Sequence, residues 1–272
     1  MSSQVAQRRT GPAPGAGQPR DVDALRGFAL FGMLVVTISS FGAPHVVVVL
    51  FVELTFLLLF AFLLGYSGGG RVRHLIRPRT ALILAGGLIA AVAAMVGALS
   101  FADGPTPLPG PVRVQVPLAL ALFLVGLAAG GRRLLAHARL LSLAQVIGFR
   151  VGVAGAVASA LLSPLPALAL TVPTALFLAA ACGATLLRFF RTAAGAGLAD
   201  ALAPAGRMAL SNYLGQSVVL ALLFTGFSLG TLLSTLVGGG LFAGQIVVSA
   251  WWLGRHSCGP VEWLLRRPRW DV

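Results

Sequence analysis

Glu53 interrupts the apolar run VVVVLFVELTFLLLFAFLLGY, which extends from Val46 to Tyr66. It lies about eight residues into that run, roughly 12 Å deep in a helix rising 1.5 Å per residue. A carboxylic acid at that depth in a bilayer faces a bundle interior, finds a partner or is neutral, and it marks a functional site by default. Arg150, in Gly148-Phe149-Arg150-Val151-Gly152, is the one comparably placed cation. Pairing of Glu53 with Arg150 is the direct physical expectation. The alternative is that Arg150 reaches toward an interface along its aliphatic stem while Glu53 packs as a neutral acid. The glycines flanking Arg150 form a small-xxx-small pattern that admits a neighbouring helix.

Further polar residues fall inside apolar runs. Asn212 and Gln216, four apart in Ser211-Asn212-Tyr213-Leu214-Gly215-Gln216, share one helical face and need partners there. Gln145 and Gln245 are the candidates, either as interhelical glue or as walls of a substrate or headgroup site. Asp23 and Arg26, three apart, sit on one helical turn just before an apolar run, with Asp23 suited to cap that helix.

The remaining chemistry-bearing residues form no recognisable constellation. His74, His137 and His256 lie among arginines. His45 stands alone in Ser40-Phe41-Gly42-Ala43-Pro44-His45, with no carboxylate nearby in sequence to orient it as a base. Cys182 and Cys258 have neither metal spacing nor a disulfide framework, and no metal site is expected. Phosphate-binding, zinc-protease and serine-hydrolase signatures are missing, and no cofactor is evident.

The elements that position these residues are apolar segments of membrane-spanning length. A bilayer core needs about 20 apolar residues, with a range of about 17 to 25. Eight segments approach or meet that requirement: residues 25–41, 46–66, 80–101, 116–130, 140–163, 166–187, 208–227 and 232–254. The expected fold is an all-α polytopic transmembrane bundle of about eight spans. Residues 1–20, rich in Gly, Pro and Gln, form a disordered tail, residues 21–256 the membrane domain and residues 257–272 a basic tail.

The sequence holds 20 basic residues, all arginine, and their placement gives an orientation. With the N-terminus cytoplasmic, eighteen fall in inner segments, Arg113 falls in an outer loop and Arg150 in a span, as the positive-inside rule requires. An even number of spans then leaves the C-terminus cytoplasmic too. The net charge of +13 is thus explained by orientation and by attraction to anionic inner-leaflet lipid, without a nucleic-acid partner. Membrane lipids are the expected partners, and the oligomeric state is open. Trp251, Trp252, Trp263 and Trp270 gather near the inner end of the last span, where such rings anchor at the headgroup level.

Several stretches resemble the YeiB-type bacterial membrane proteins, which carry the domain of unknown function numbered 418. They are Asp23-Ala24-Leu25-Arg26-Gly27-Phe28, the run Phe56 to Gly65, Gly206-Arg207-Met208-Ala209-Leu210-Ser211-Asn212-Tyr213, and Gly259-Pro260-Val261-Glu262-Trp263. The C-terminal motif region covers about residues 190–270. The resemblance implies a multi-pass protein of the bacterial plasma membrane. That family is distantly similar to membrane acyltransferases that move acyl groups from cytoplasmic coenzyme A donors to extracytoplasmic sugars, which nominates Asp23 and Arg26, with acyl-coenzyme A as donor. Two departures weaken that implication: the chain resembles a shortened member, relatives carrying a further helix and large outer loop between the third and fourth spans, and the expected general base is absent. This chain has Gly86-Gly87-Leu88-Ile89-Ala90-Ala91 where relatives show a histidine, and Thr55 where a basic residue is common. Three functions stay open: a membrane acyltransferase, intact or degenerate, acting on an envelope component; a transporter of a small molecule or lipid; and a non-catalytic membrane component.

Overall fold

Within the described residues, every apolar segment expected to span a bilayer is helical. The computed structural model describes residues 20–40, 46–100, 111–131, 134–162, 164–226 and 231–266, which are helical apart from short turns and contain no strand. The helices are α1 (Arg20–Ser40), α2 (Val46–Leu75), α3 (Pro78–Ser100), α4 (Pro111–Gly131), α5 (Ala138–Leu161), α6 (Pro164–Phe190), α7 (Ala193–Arg207), α8 (Ala209–Gly226), α9 (Thr231–Leu253) and α10 (Pro260–Arg266), with a 3-10 turn at Leu134–Ala136. The expectations for residues 1–19 and for His45 lie outside the described residues.

Among the described residues, four helices contain stretches long and apolar enough to cross a membrane: Pro78–Val96, Ala138–Ser159, Leu170–Phe190 and Leu233–Leu253. Shorter apolar stretches run through Phe51–Ser67, Gln115–Gly130 and Ala209–Leu223. Only 22% of the α3 stretch and 17% of the α5 stretch is buried inside the protein, so most of their apolar side chains face outward. Ile83 and Val157, for example, are 74% and 55% exposed. A continuous apolar exterior of this kind needs hydrocarbon around it. The molecule is an integral membrane helical bundle.

The helix α1 lies at its centre, packed on α2, α6, α7, α8 and α9, while α2 packs on α4, α4 on α3 and α5 on α6. Leu25, Leu30 and Leu34 of α1 and Leu58 and Leu63 of α2 are fully buried in one core cluster. Glycines set the closest crossings. A Cβ on Gly65 would lie 1.9 Å from the Phe123 carbonyl oxygen, and one on Gly126 would lie 2.0 Å from that of Phe62, so α2 and α4 touch backbone to backbone. Gly148 and Gly152, which flank Arg150, face α6: a Cβ on Gly148 would lie 2.5 Å from the Phe177 carbonyl oxygen, and one on Gly152 would lie 3.3 Å from Leu178 Cβ.

One end of the bundle gathers the segments that the arginine pattern placed together. Arg191, at the end of α6, pairs with Asp21 at 3.3 Å and donates to the Leu135 carbonyl at 2.9 Å. Arg20 pairs with Asp200 of α7 at 2.9 Å, largely in the open, where an ion pair contributes at most about 1 kcal/mol.

Two elements were not expected. α7 occupies a stretch that hydropathy leaves as a loop, and it is fixed by tertiary contact. Its N-cap Thr192 accepts a hydrogen bond from the Gly195 amide at 3.2 Å, and its Gly195, Ala199, Leu202, Ala203, Ala205 and Gly206 are buried. α10 lies within the expected basic tail and folds back onto α8.

Candidate functional site

Two polar centres stand out among the described residues, one at the arginine-rich end and one within the bundle. The first joins motifs far apart in sequence. α1 and α7 cross through Gly27 and Gly206, where a Cβ would lie 2.5 Å from the Leu202 carbonyl oxygen and 1.7 Å from that of Asp23, respectively. At this crossing Arg26 pairs with Asp23 at 3.2 Å and donates to the Gly206 carbonyl at 3.4 Å. Asp23 and Arg26 are only 7% and 6% exposed. Arg207 acts electrostatically on Asp23, and Glu262 on Arg26.

Glu262 in turn binds the start of α8. Its carboxylate accepts from the amides of Leu210 at 2.8 Å and Ser211 at 3.3 Å, and from the Ser211 hydroxyl. Amides at a helix start lack intrahelical acceptors and carry positive partial charge, so a carboxylate suits them. Ser211 Oγ accepts from the Val261 amide at 3.1 Å, so each helix start supplies a group that caps the other. Pro260 opens α10 as its first residue, where no amide is needed. Gly259 has no room for a side chain, since a Cβ there would lie 2.7 Å from Ser211 Oγ. Trp263 is half exposed beside this clasp.

Asn212 fastens the same region to α9. Its amide donates to the Ala205 carbonyl at 3.0 Å, left free by the break between α7 and α8, and to Ser249 Oγ at 2.9 Å. Gln245 donates to the Asn212 carbonyl at 3.0 Å. Of the two glutamines considered as partners, Gln245 takes that role. Gln145 does not, because it accepts from Arg188 at 2.8 Å. The centre is a packed clasp built on these bonds, within which Asp23 Oδ1 and Gln245 Oε1 are buried without accepting a hydrogen bond.

The second centre is a cavity of about 450 Å³ between α1, α2, α4 and α8. Its polar lining consists of Thr37, Glu53, Gln115, Tyr213, Gln216 and Ser217, with Met33, Leu57, Leu220 and Ala221 completing the wall. Gln216 is 3% exposed, yet its Oε1 has no hydrogen-bond partner, and neither has Gln115 Nε2. Buried polar atoms without partners are rare and costly.

The expected pair of Glu53 and Arg150 does not form. Glu53 faces this cavity, whereas Arg150 lies on the exposed face of α5, a helix packed on α6. The glycine faces explain the difference, because Gly148 and Gly152 turn toward α6 and so aim Arg150 outward. Asn212 and Gln216 also part company, Asn212 to the clasp and Gln216 to the cavity. Sequence reasoning missed Gln115 and Ser217, whose role rests on three-dimensional convergence alone.

Thr55 donates to the Phe51 carbonyl of its own helix at 2.9 Å. Gly86 and Gly87 border open space. Trp251, 55% exposed, carries the Arg255 guanidinium 4.4 Å from its ring centre, and Trp252 stacks on His256. No cluster of three metal-ligating side chains occurs among the described residues.

No curated protein and no solved structure matches the chain. A family model described as Protein of unknown function (DUF418) matches residues 128–270, a stretch that holds both halves of the Ser211 and Glu262 clasp. With more than half of its length matched, the chain belongs to that YeiB-like family.

Proposed function

We propose that this integral membrane protein is a small-molecule permease whose substrate site is the cavity around Glu53. The carrying observation is the buried Gln216 oxygen without a partner, lining a space that also holds a carboxylic acid, a second amide, two hydroxyls and a tyrosine. Polar groups at membrane depth persist where they line a pathway or ligand site. A cavity of about 450 Å³ falls within the range of about 300–1,000 Å³ usual for small-ligand sites. The acyl-transfer reading draws no support from Asp23 and Arg26, which are buried in a helix crossing, and acyl-coenzyme A has no part in the proposed mechanism.

In this reading the protein sits in a bacterial plasma membrane with both termini cytoplasmic and its arginine-rich loops on anionic lipid. The clasp of α7, α8 and α10 holds the inner end of α8, while Tyr213, Gln216 and Ser217 on the same helix present their polar groups to the substrate. The test compares small polar solutes inside and outside cells carrying the wild type or Glu53→Gln at matched membrane abundance. A redistribution of one or a few solutes that Glu53→Gln abolishes supports the reading. Identical profiles refute it.

A further inference from the structure

We infer that the cavity takes a small organic ammonium compound bearing an oxygen acceptor, an assignment that rests on the permease reading and names its substrate class. Among the described residues the lining contains one carboxylic acid, Glu53, and no basic side chain. Among the described residues Glu53 has neither an ion pair nor a hydrogen bond. The Gln216 Oε1 adds an acceptor that is 97% buried by residue and unsatisfied. Ser217 donates its proton to the Tyr213 carbonyl at 2.8 Å, which leaves its oxygen lone pairs toward the cavity.

These groups favour positive charge together. A carboxylate and an amide oxygen attract an ammonium group directly, and the Tyr213 ring offers a π face of the kind that binds alkylammonium ions. Met33 adds a polarizable thioether to the same wall. Gln115 Nε2, a buried donor without a partner, calls for an acceptor elsewhere on the ligand, such as a hydroxyl or carboxylate oxygen. An anion would meet Glu53 with like charge. A neutral polyol would leave that acid without a counterion in a largely apolar wall.

The experiment uses the full chain in lipid nanodiscs and follows its thermal unfolding midpoint. The probes are choline, ethanolamine, acetate and 3,3-dimethyl-1-butanol, the uncharged isostere of choline. Choline or ethanolamine is expected to raise the midpoint in a saturable way, with no response to 3,3-dimethyl-1-butanol or acetate. Glu53→Gln removes the response and Glu53→Asp retains it. Gln216→Leu, which loses one hydrogen bond to a charged group, weakens apparent affinity about tenfold.

Equal stabilisation by 3,3-dimethyl-1-butanol overturns the ammonium assignment while leaving the cavity as the site. Acetate binding that disappears in Arg113→Gln, a position two residues before Gln115 in sequence, also overturns it by showing an anion site. If no probe binds but cells show a Glu53-dependent solute redistribution, the substrate class is wrong and the permease reading stands. If no probe binds and the solute profiles are identical, both fall.

Discussion

Gly206→Ala separates helix-crossing geometry from mere glycine abundance. The added methyl would lie 1.7 Å from the Asp23 carbonyl oxygen, 2.7 Å from its carbon and 2.9 Å from the Gly27 nitrogen. All three are backbone atoms, so no side chain can rotate away. Restoring ordinary contact at 3.4 Å requires α1 and α7 to part by about 1.7 Å. That separation stretches the Arg26 bond to the Gly206 carbonyl, already 3.4 Å long, beyond hydrogen-bond range. Overpacking costs about 1–3 kcal/mol, and opposed backbones put this case at the upper end. At about 2–4 °C per kcal/mol for a chain of this size, the unfolding midpoint should fall by about 6–12 °C. The assay is tryptophan fluorescence on the detergent-solubilised protein, with Gly240→Ala as control, since a Cβ there meets nothing within 4 Å. Equal midpoints for Gly206→Ala and Gly240→Ala would refute the packing argument.

Other residues give further expectations. Glu262→Ala removes the acceptor for two α8 amides and the Ser211 hydroxyl and should cost about 1.5–3 kcal/mol, read as a lower midpoint that Glu262→Gln partly restores. Arg26→Leu leaves Asp23 buried without its partner and should cost about 3–5 kcal/mol, whereas the double variant Asp23→Leu/Arg26→Leu should be less destabilised than either single change; the reverse order would show that the pair is not acting as a buried ion pair. Arg150→Gln should shift stability by less than about 0.5 kcal/mol, because the side chain lies exposed on α5; a large loss would mean that Arg150 has a partner after all.

The span helices were legible because apolar runs of bilayer length leave few alternatives, and the arginine-bearing start of α1 and end of α6 do meet each other, Leu135 and α7 at one end of the bundle. α7 was not legible by hydropathy, since its buried face is made of Ala, Gly and one Leu, too small to register as a core stripe. Thr192 ahead of an alanine-rich stretch was the available signal, a cap residue before good helix formers. The clasp was half legible. Ser211, Asn212, Gly259 and Glu262 were singled out as motif, but their union depends on α10 turning back through Gly259 and Pro260, a turn that no periodicity encodes. Glu53 was found by depth alone, while its assignment to Arg150 failed because depth gives no azimuth. Which face of α5 turns inward is set by Gly148 and Gly152, and that information was present in the same five residues.

The central claim, that Glu53 and Gln216 face a solvated cavity inside the bundle, is tested most directly by thiol accessibility in a Cys182→Ser/Cys258→Ser background. Ser217→Cys places a thiol in the cavity wall, and Val218→Cys, 59% exposed on the bundle exterior, places one toward lipid. A charged, water-soluble maleimide applied to intact membranes should label Ser217→Cys and spare Val218→Cys, because the reactive thiolate forms in water and not in hydrocarbon. Equal labelling of both positions, or labelling of Val218→Cys alone, would contradict it.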